Sequence, residues 1–132
     1  KLVFCHFRIE IDFIVERMEQ NGVPCAFFDG RISLSERRDI LLDSPDVLVL
    51  QLKTACEGLN LQQYSEVYFV SPHWNPAVED QAVARCHRIG QTEPVDVFHF
   101  TMANFGNSSL TLDNFCVQVQ KTKREMRDAI LI

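Results

Sequence analysis

Apolar positions along this chain follow two rhythms, and the two alternate. "KLVFCHF" (1–7), "PCAFF" (24–28), "VLVLQL" (47–52), "EVYFV" (66–70) and "VDVFHF" (95–100) are short, nearly continuous apolar runs, the pattern of buried strands. Between them the spacing turns helical. In "RIEIDFIVERMEQNG", Ile9, Phe13 and Met18 with their neighbours form an apolar face, and Asn21-Gly22 ends it. "SLSE" (33–36) sets Ser33 three residues before Glu36. That capping-box spacing predicts a helix from Leu34 to about Leu42, stopped by Ser44-Pro45. "NPAVEDQAVARCHRIG" (75–90) predicts another helix, with Pro76 in its first turn and Gly90 as its stop. Beyond the polar stretch "ANFGNSS", a final helix is predicted with Leu112, Phe115, Val119 and Met126 near one face.

Strands that alternate with helices, several of them apolar throughout, imply an α/β fold, a parallel sheet covered by helices on both faces. The Asn104–Ser109 loop is the only weak boundary, and it sets the last helix apart from the sheet. In such sheets ligands collect beyond the carboxyl ends of the strands. The informative segments are therefore "HFR", "DGR", "KTACEGLNLQ" and "SPHWNP", which follow the first four strands.

Composition narrows the picture. The 132 residues are 46% hydrophobic, enough for one domain with a real core. A net charge of −5 means that any contact with nucleic acid must come from a local basic cluster. No apolar run is long enough for a transmembrane helix, and charges interrupt the first apolar stretch, unlike a signal peptide. The five cysteines are singly spaced, with no C-x-x-C pair. This argues for a reducing compartment and small core thiols, and against a zinc site. A start within a strand-like run and an end on "AILI" suggest a segment of a longer polypeptide.

Candidate chemistry concentrates in "QAVARCHRIGQ" (81–91). On a helix, Val78, Ala82, Cys86 and Ile89 would make an apolar stripe, with Gln81, Arg85 and Arg88 in a second stripe beside it. Arginine is planar, permanently charged and bidentate, so two on a rigid edge suit a polyphosphate. The plainer alternative is a pair of surface arginines bonded to Glu79, Asp80 or Glu93. In "KTACEGLNL", Lys53, Thr54, Gly58 and Asn60 suit close approach to a phosphate or ribose, or merely connect two elements. Trp74, in a loop between two prolines, has the features of a base-stacking platform or of a cap on the core. The four histidines have no ligand spacing. A G-x-x-x-x-G-K-[ST] phosphate loop and an acidic magnesium motif are both lacking. The chain thus has the arginines of a phosphoryl-transfer site without the cradle or the metal.

"WNPAVEDQAVARCHRIGQ" (74–91) closely resembles the WNP segment and sixth motif, Q-x-x-x-R-x-H-R-x-G-Q, of SWI/SNF-type ATPases, DNA translocases of helicase superfamily two. Gln81, Arg85, His87, Arg88, Gly90 and Gln91 all match. "KLVFCHF" resembles the fourth motif, "FFDGRISLSERRDIL" the block after it, "VLVLQLKTACEGLNL" the fifth motif and "TLDNFCVQVQKTKREM" the helix that braces the lobe. The resemblance extends over essentially the whole chain, with Ala55-Cys56 standing where a glycine pair is usual.

The resemblance implies a RecA-like parallel sheet of about six strands with helices on both faces, the second lobe of such an ATPase, over residues 1–108. A C-terminal brace helix would occupy 109–132 and pack on this lobe or on the first one. Arg85 and Arg88 would be catalytic arginine fingers, and Gln81, Gly58 and Glu57 would meet the nucleotide. Lys53, Thr54, Trp74 and Arg31 would meet DNA. ATP with Mg²⁺ would be held mainly by the first RecA-like lobe of the same polypeptide, so the chain alone would lack ATPase activity. Double-stranded DNA is the implied partner, with no membrane, in a nucleus or at a viral replication site. The rival reading is a degenerate, non-catalytic lobe that binds DNA or protein.

Overall fold

The structure is a computed structural model and describes residues 1–55, 58–108 and 110–130. Five strands, β1 (Leu2–Cys5), β2 (Cys25–Phe28), β3 (Val47–Gln51), β4 (Glu66–Phe69) and β5 (Asp96–His99), alternate with helices α1 (Arg8–Gln20), α2 (Leu34–Asp43), α3 (Leu52–Ala55), α4 (Pro76–Val83) and α5 (Leu112–Ile130). The strands form one parallel sheet in the order β2-β3-β1-β4-β5. Among the described residues the strand count is five, not the six expected. The stretch after β5 lacks an apolar run and folds on itself through an antiparallel bridge between Phe105 and Ser108.

The central strand β1 pairs Leu2 with Leu48 on one side and with Val67 on the other. One sheet face, built from Leu2, Phe4, Leu48, Leu50, Val67 and Phe69, packs with Ile40 and Leu41 of α2, Ala82 of α4, and with Leu61, Tyr64 and Cys86. The other face, with Cys5, Val47 and Val49, takes Ile11, Ile14 and Val15 of α1. The buried edge of α1 is thus Ile11, Ile14, Val15 and Met18 rather than the expected Ile9–Phe13 face; Ile9 and Phe13 are exposed. A rotation of about 100–200° about the helix axis separates the two choices, and the position of β1 and β3 beneath α1 decides between them.

Local signals fixed the other helix ends. Ser33 accepts from the Glu36 amide while Glu36 accepts from the Ser33 amide, so both halves of the capping box form. Gly22, at φ +70°, turns the chain out of α1. The four described cysteines are free thiols. Cys5, Cys86 and Cys116 are buried, and burial pushes the Cys5 thiol up to about 12, which leaves it an unreactive core group at neutral pH.

At the carboxyl end of β2, Asp29 is fully buried and holds Arg31. Its carboxylate accepts from the Arg31 backbone amide at 2.8 Å, from Nε at 2.9 and 3.1 Å and from Nη2 at 2.5 Å. These bonds from Arg31 hold the Asp29 carboxyl below its ordinary 3.8. A depressed folded value means that Asp29 adds stability above the unfolded pKa and loses it as pH falls through the folded one. Asp29→Asn is therefore expected to melt several degrees below the parent chain at pH 7, with the gap closing below about pH 4 as the parent's own carboxylate protonates. Thermal melts of both chains across that range check it.

Candidate functional site

The site grows from the loops beyond β3 and β4. Asn75 caps α4, its side-chain oxygen accepting the Ala77 amide at 3.1 Å, and Pro76 takes the first helical position, where no amide is needed. The helix then stops at Val83, seven residues short of the expected Gly90. Arg85 and Cys86 bond back only three residues, to Ala82 and Val83, and the Arg85 carbonyl accepts the Leu61 amide at 2.9 Å. That bond from another loop, with Cys86 drawn into the core, takes the backbone off its helical path.

This corrects the two-stripe helix. Gln81 lies on α4, while Arg85 and Arg88 lie on the turn after it. Val78, Ala82 and Cys86 face the core as expected, but Ile89 is fully exposed. Gln81 and Arg88 are exposed and Arg85 is half-buried.

The acids on α4 have other partners. Glu79 is 2% exposed and accepts the His73 amide at 3.2 Å and Gln120 Nε2 at 2.8 Å. Asp80 accepts two bonds from the Arg124 guanidinium, both at 3.1 Å, with Arg127 at 3.6 Å. Helix α5 therefore occupies Glu79 and Asp80, two of the three carboxylates that the plainer reading assigned to the arginines. Arg88 forms no side-chain hydrogen bond or ion pair with any described residue.

Helix α5 is held to the Pro72–Asp80 stretch largely by polar contacts. Gln120 Nε2 also donates to the His73 carbonyl at 2.5 Å, and Lys123 Nζ donates to the Trp74 carbonyl at 3.1 Å. Cys116 is its buried anchor. Leu112, Phe115 and Met126, expected to share the apolar face, are all exposed, while Val119 is partly buried.

The other expected site residues are dispersed. Lys53 is exposed on the single turn α3 and lines a cleft of about 390 Å³ with His6, Gln51, His73 and Val78. Of its lining residues, His6 and His73 stack their rings with centroids 5.6 Å apart. Thr54 is 4% exposed, so its side chain points into the lobe and not towards an external strand. Trp74 is 42% exposed and meets the Phe115 ring edge-on at 5.7 Å. It is therefore a half-open ring against α5 and does not cap the core. Gly58 adopts φ +84° with open space where a Cβ would stand. Arg31 is engaged at home, by Asp29 and by Asp12 at 2.7 Å, with its guanidinium over the Phe27 ring. Those bonds, first to Asp29 and then to Asp12, push its pKa up. Glu57 lies outside the described residues.

Gln91 is the residue whose role the sequence reading left out. Its amide nitrogen donates to the carbonyls of Gln62 and Tyr64, both at 2.9 Å, and to that of Cys86 at 3.2 Å. Gly90 beside it has φ +100°, and a Cβ there would come within 2.8 Å of the Gln62 side-chain oxygen. The adjacent G-Q pair at a predicted helix stop was the available signal.

The parallel sheet, with its candidate residues beyond the carboxyl ends of β3 and β4, has the layout of an open α/β ligand-binding domain. The chain is a member of the helicase conserved C-terminal domain family, whose model matches residues 1–90. It is 37% identical over 140 residues to the DNA repair protein RAD5 of Saccharomyces cerevisiae, an alignment that covers 98% of this chain and 12% of that protein. It is 32% identical to the DNA repair protein RAD5B of Arabidopsis thaliana, over 95% of this chain and 10% of that one. The chain thus spans about a tenth of the length of these relatives. The C-terminal part of the Fun30 ATPase domain shares its fold, with a TM-score of 0.71 at 19% identity, over 92% of this chain and 46% of that one.

Proposed function

We propose that this chain is the second RecA-like ATPase lobe of a SWI/SNF-type, DNA-dependent translocase, and that Arg85 and Arg88 act on ATP bound mainly by a first lobe. The observation that carries the proposal is Arg88, an exposed guanidinium with no described partner, on a turn rigidly backed by the core. The neighbouring acids Glu79 and Asp80 are bonded to α5, which leaves Arg88 available to an external anion.

The residues fit a contribution of positive charge and not a complete nucleotide site. Among the described residues no group of three or more His, Cys, Asp or Glu side chains converges as a metal site. On this reading the magnesium ion and most phosphate contacts would be supplied by the first lobe. Arg85 and Arg88 would gain a phosphate contact only when the lobes close, and would lose it once the terminal phosphate leaves. Gln81 would orient an arginine or touch the nucleotide, and Gly58 would allow the backbone close to the ribose. Lys53 and the open face of Trp74 would supply DNA contacts at the carboxyl edge of the sheet. Because both sets of contacts sit on one lobe, opening and closing would move a DNA strand relative to the first lobe. A nuclear location accords with relatives named as eukaryotic DNA repair proteins.

The test compares ATP hydrolysis by this chain alone with hydrolysis by the chain joined to a first lobe, each with and without duplex DNA. The chain alone is expected to show none, and the joined protein to show DNA-stimulated turnover. An inactive joined protein that still binds DNA would favour the non-catalytic module instead.

A further inference from the structure

We infer that Gln91 is a positioning residue for Arg85 and Arg88: its side-chain amide fastens the turn that carries them to the Asn60–Tyr64 segment, so that the two loops move as one body. The inference rests on the proposed role of those arginines.

The turn has no regular secondary structure to hold it, since α4 ends at Val83. The Asn60–Tyr64 segment, by contrast, is anchored at several points. Leu61 and Tyr64 are buried in the core. Gln63 Nε2 donates to the Leu41 carbonyl at 3.1 Å, and the Tyr64 hydroxyl donates to the Pro45 carbonyl at 2.9 Å. Two links carry that rigidity across to the arginines. One is the Leu61 amide on the Arg85 carbonyl at 2.9 Å. The other is Gln91, whose two N–H groups serve the carbonyls of Gln62, Tyr64 and Cys86 and reach both loops at once. Its oxygen accepts the Glu93 amide at 3.0 Å, which fixes the orientation of the amide plane.

The donor pattern is specific. Glutamate at this position would set a carboxylate against three carbonyl oxygens, and methionine would fill the space with no donor at all. Gly90 adds a backbone requirement, because its φ of +100° is strained for any residue with a side chain and sets the turn that presents Gln91.

A displaced arginine loses rate more than affinity, because its contact matters most in the transition state. In the joined two-lobe protein, Gln91→Met is expected to lower kcat about 10- to 100-fold while KM for ATP and affinity for duplex DNA hold. In the 132-residue chain, the Leu61 amide should exchange with deuterium faster in Gln91→Met than in the parent. Should Gln91→Met melt below the assay temperature, Gln91→Glu is read in its place. Full kcat in a folded Gln91 variant, an equal loss spread over kcat and KM, or an unchanged Leu61 exchange rate would each overturn the assignment. Arg88→Ala separates this from its premise. If Arg88→Ala abolishes turnover and Gln91→Met does not, the positioning role alone fails; if Arg88→Ala is silent, the arginine reading fails first.

Discussion

Arg88→Ala in the joined two-lobe protein is expected to lower ATP turnover by about 10³–10⁵-fold, the usual effect of removing an arginine finger. Folding should be untouched, because Arg88 is exposed and its side chain forms no hydrogen bond or ion pair with any described residue. DNA affinity without nucleotide should hold as well, since the proposed DNA contacts are Lys53 and Trp74. Arg88→Lys keeps the charge but replaces a planar fork with a point donor, so its turnover should fall between the two. Arg124→Ala is the matched control. It removes a guanidinium that is spent on Asp80, an exposed pair worth about 0.2–1 kcal/mol, and should leave turnover close to the parent's. Steady-state hydrolysis at saturating ATP and DNA reads all three.

Phe69→Ala should act by the opposite route. The Phe69 ring is buried in the larger core cluster, stacked on Phe4 at 5.3 Å and on His99 at 5.1 Å. Truncating a phenylalanine in such a core costs about 3–5 kcal/mol, from lost burial and from the cavity left behind. For a chain of this length the thermal midpoint should fall on the order of 10–20 °C. Phe69 is the last residue of β4, from which the Pro72–Asn75 loop and α4 depart. Activity should therefore be lost in parallel with folded protein, and the remaining folded fraction should turn over at the parent rate. Arg88→Ala separates the same quantities the other way, with normal melting and no turnover. Circular dichroism melts beside active-site titration check the contrast.

Legibility from sequence followed the range of the interaction. The capping box at Ser33 and Glu36 spans three residues, and the helix it announced begins at Leu34 as expected. The parallel α/β order was equally readable, because the strands are short, mainly apolar runs set between helical patterns, even though β5 carries Asp96 and His99 and lies exposed. Failures came where a distant partner decided the outcome. The helical pattern of residues 75–90 continues past Val83, but the Leu61 amide claims the Arg85 carbonyl and ends the helix early. Arg31 combines both ranges, since its guanidinium is bonded to Asp29, two residues away, and to Asp12, nineteen residues away on α1. The exposed apolar residues of α5 were read as its buried face, whereas Cys116, Gln120 and Arg124 make its contacts with the lobe. For the candidate site, the matched motif names the arginines, whereas the bonds of the Gln91 amide depend on where folding brings the Gln62 and Tyr64 carbonyls.

We propose that Arg85 and Arg88 complete a nucleotide site built on another lobe. A structure of the joined two-lobe protein with duplex DNA, ADP and aluminium fluoride tests it directly. The account predicts at least one of the two guanidiniums within about 3 Å of a fluoride or a β-phosphate oxygen. Both guanidiniums bonded to carboxylates of their own lobe and turned away from the nucleotide would contradict it.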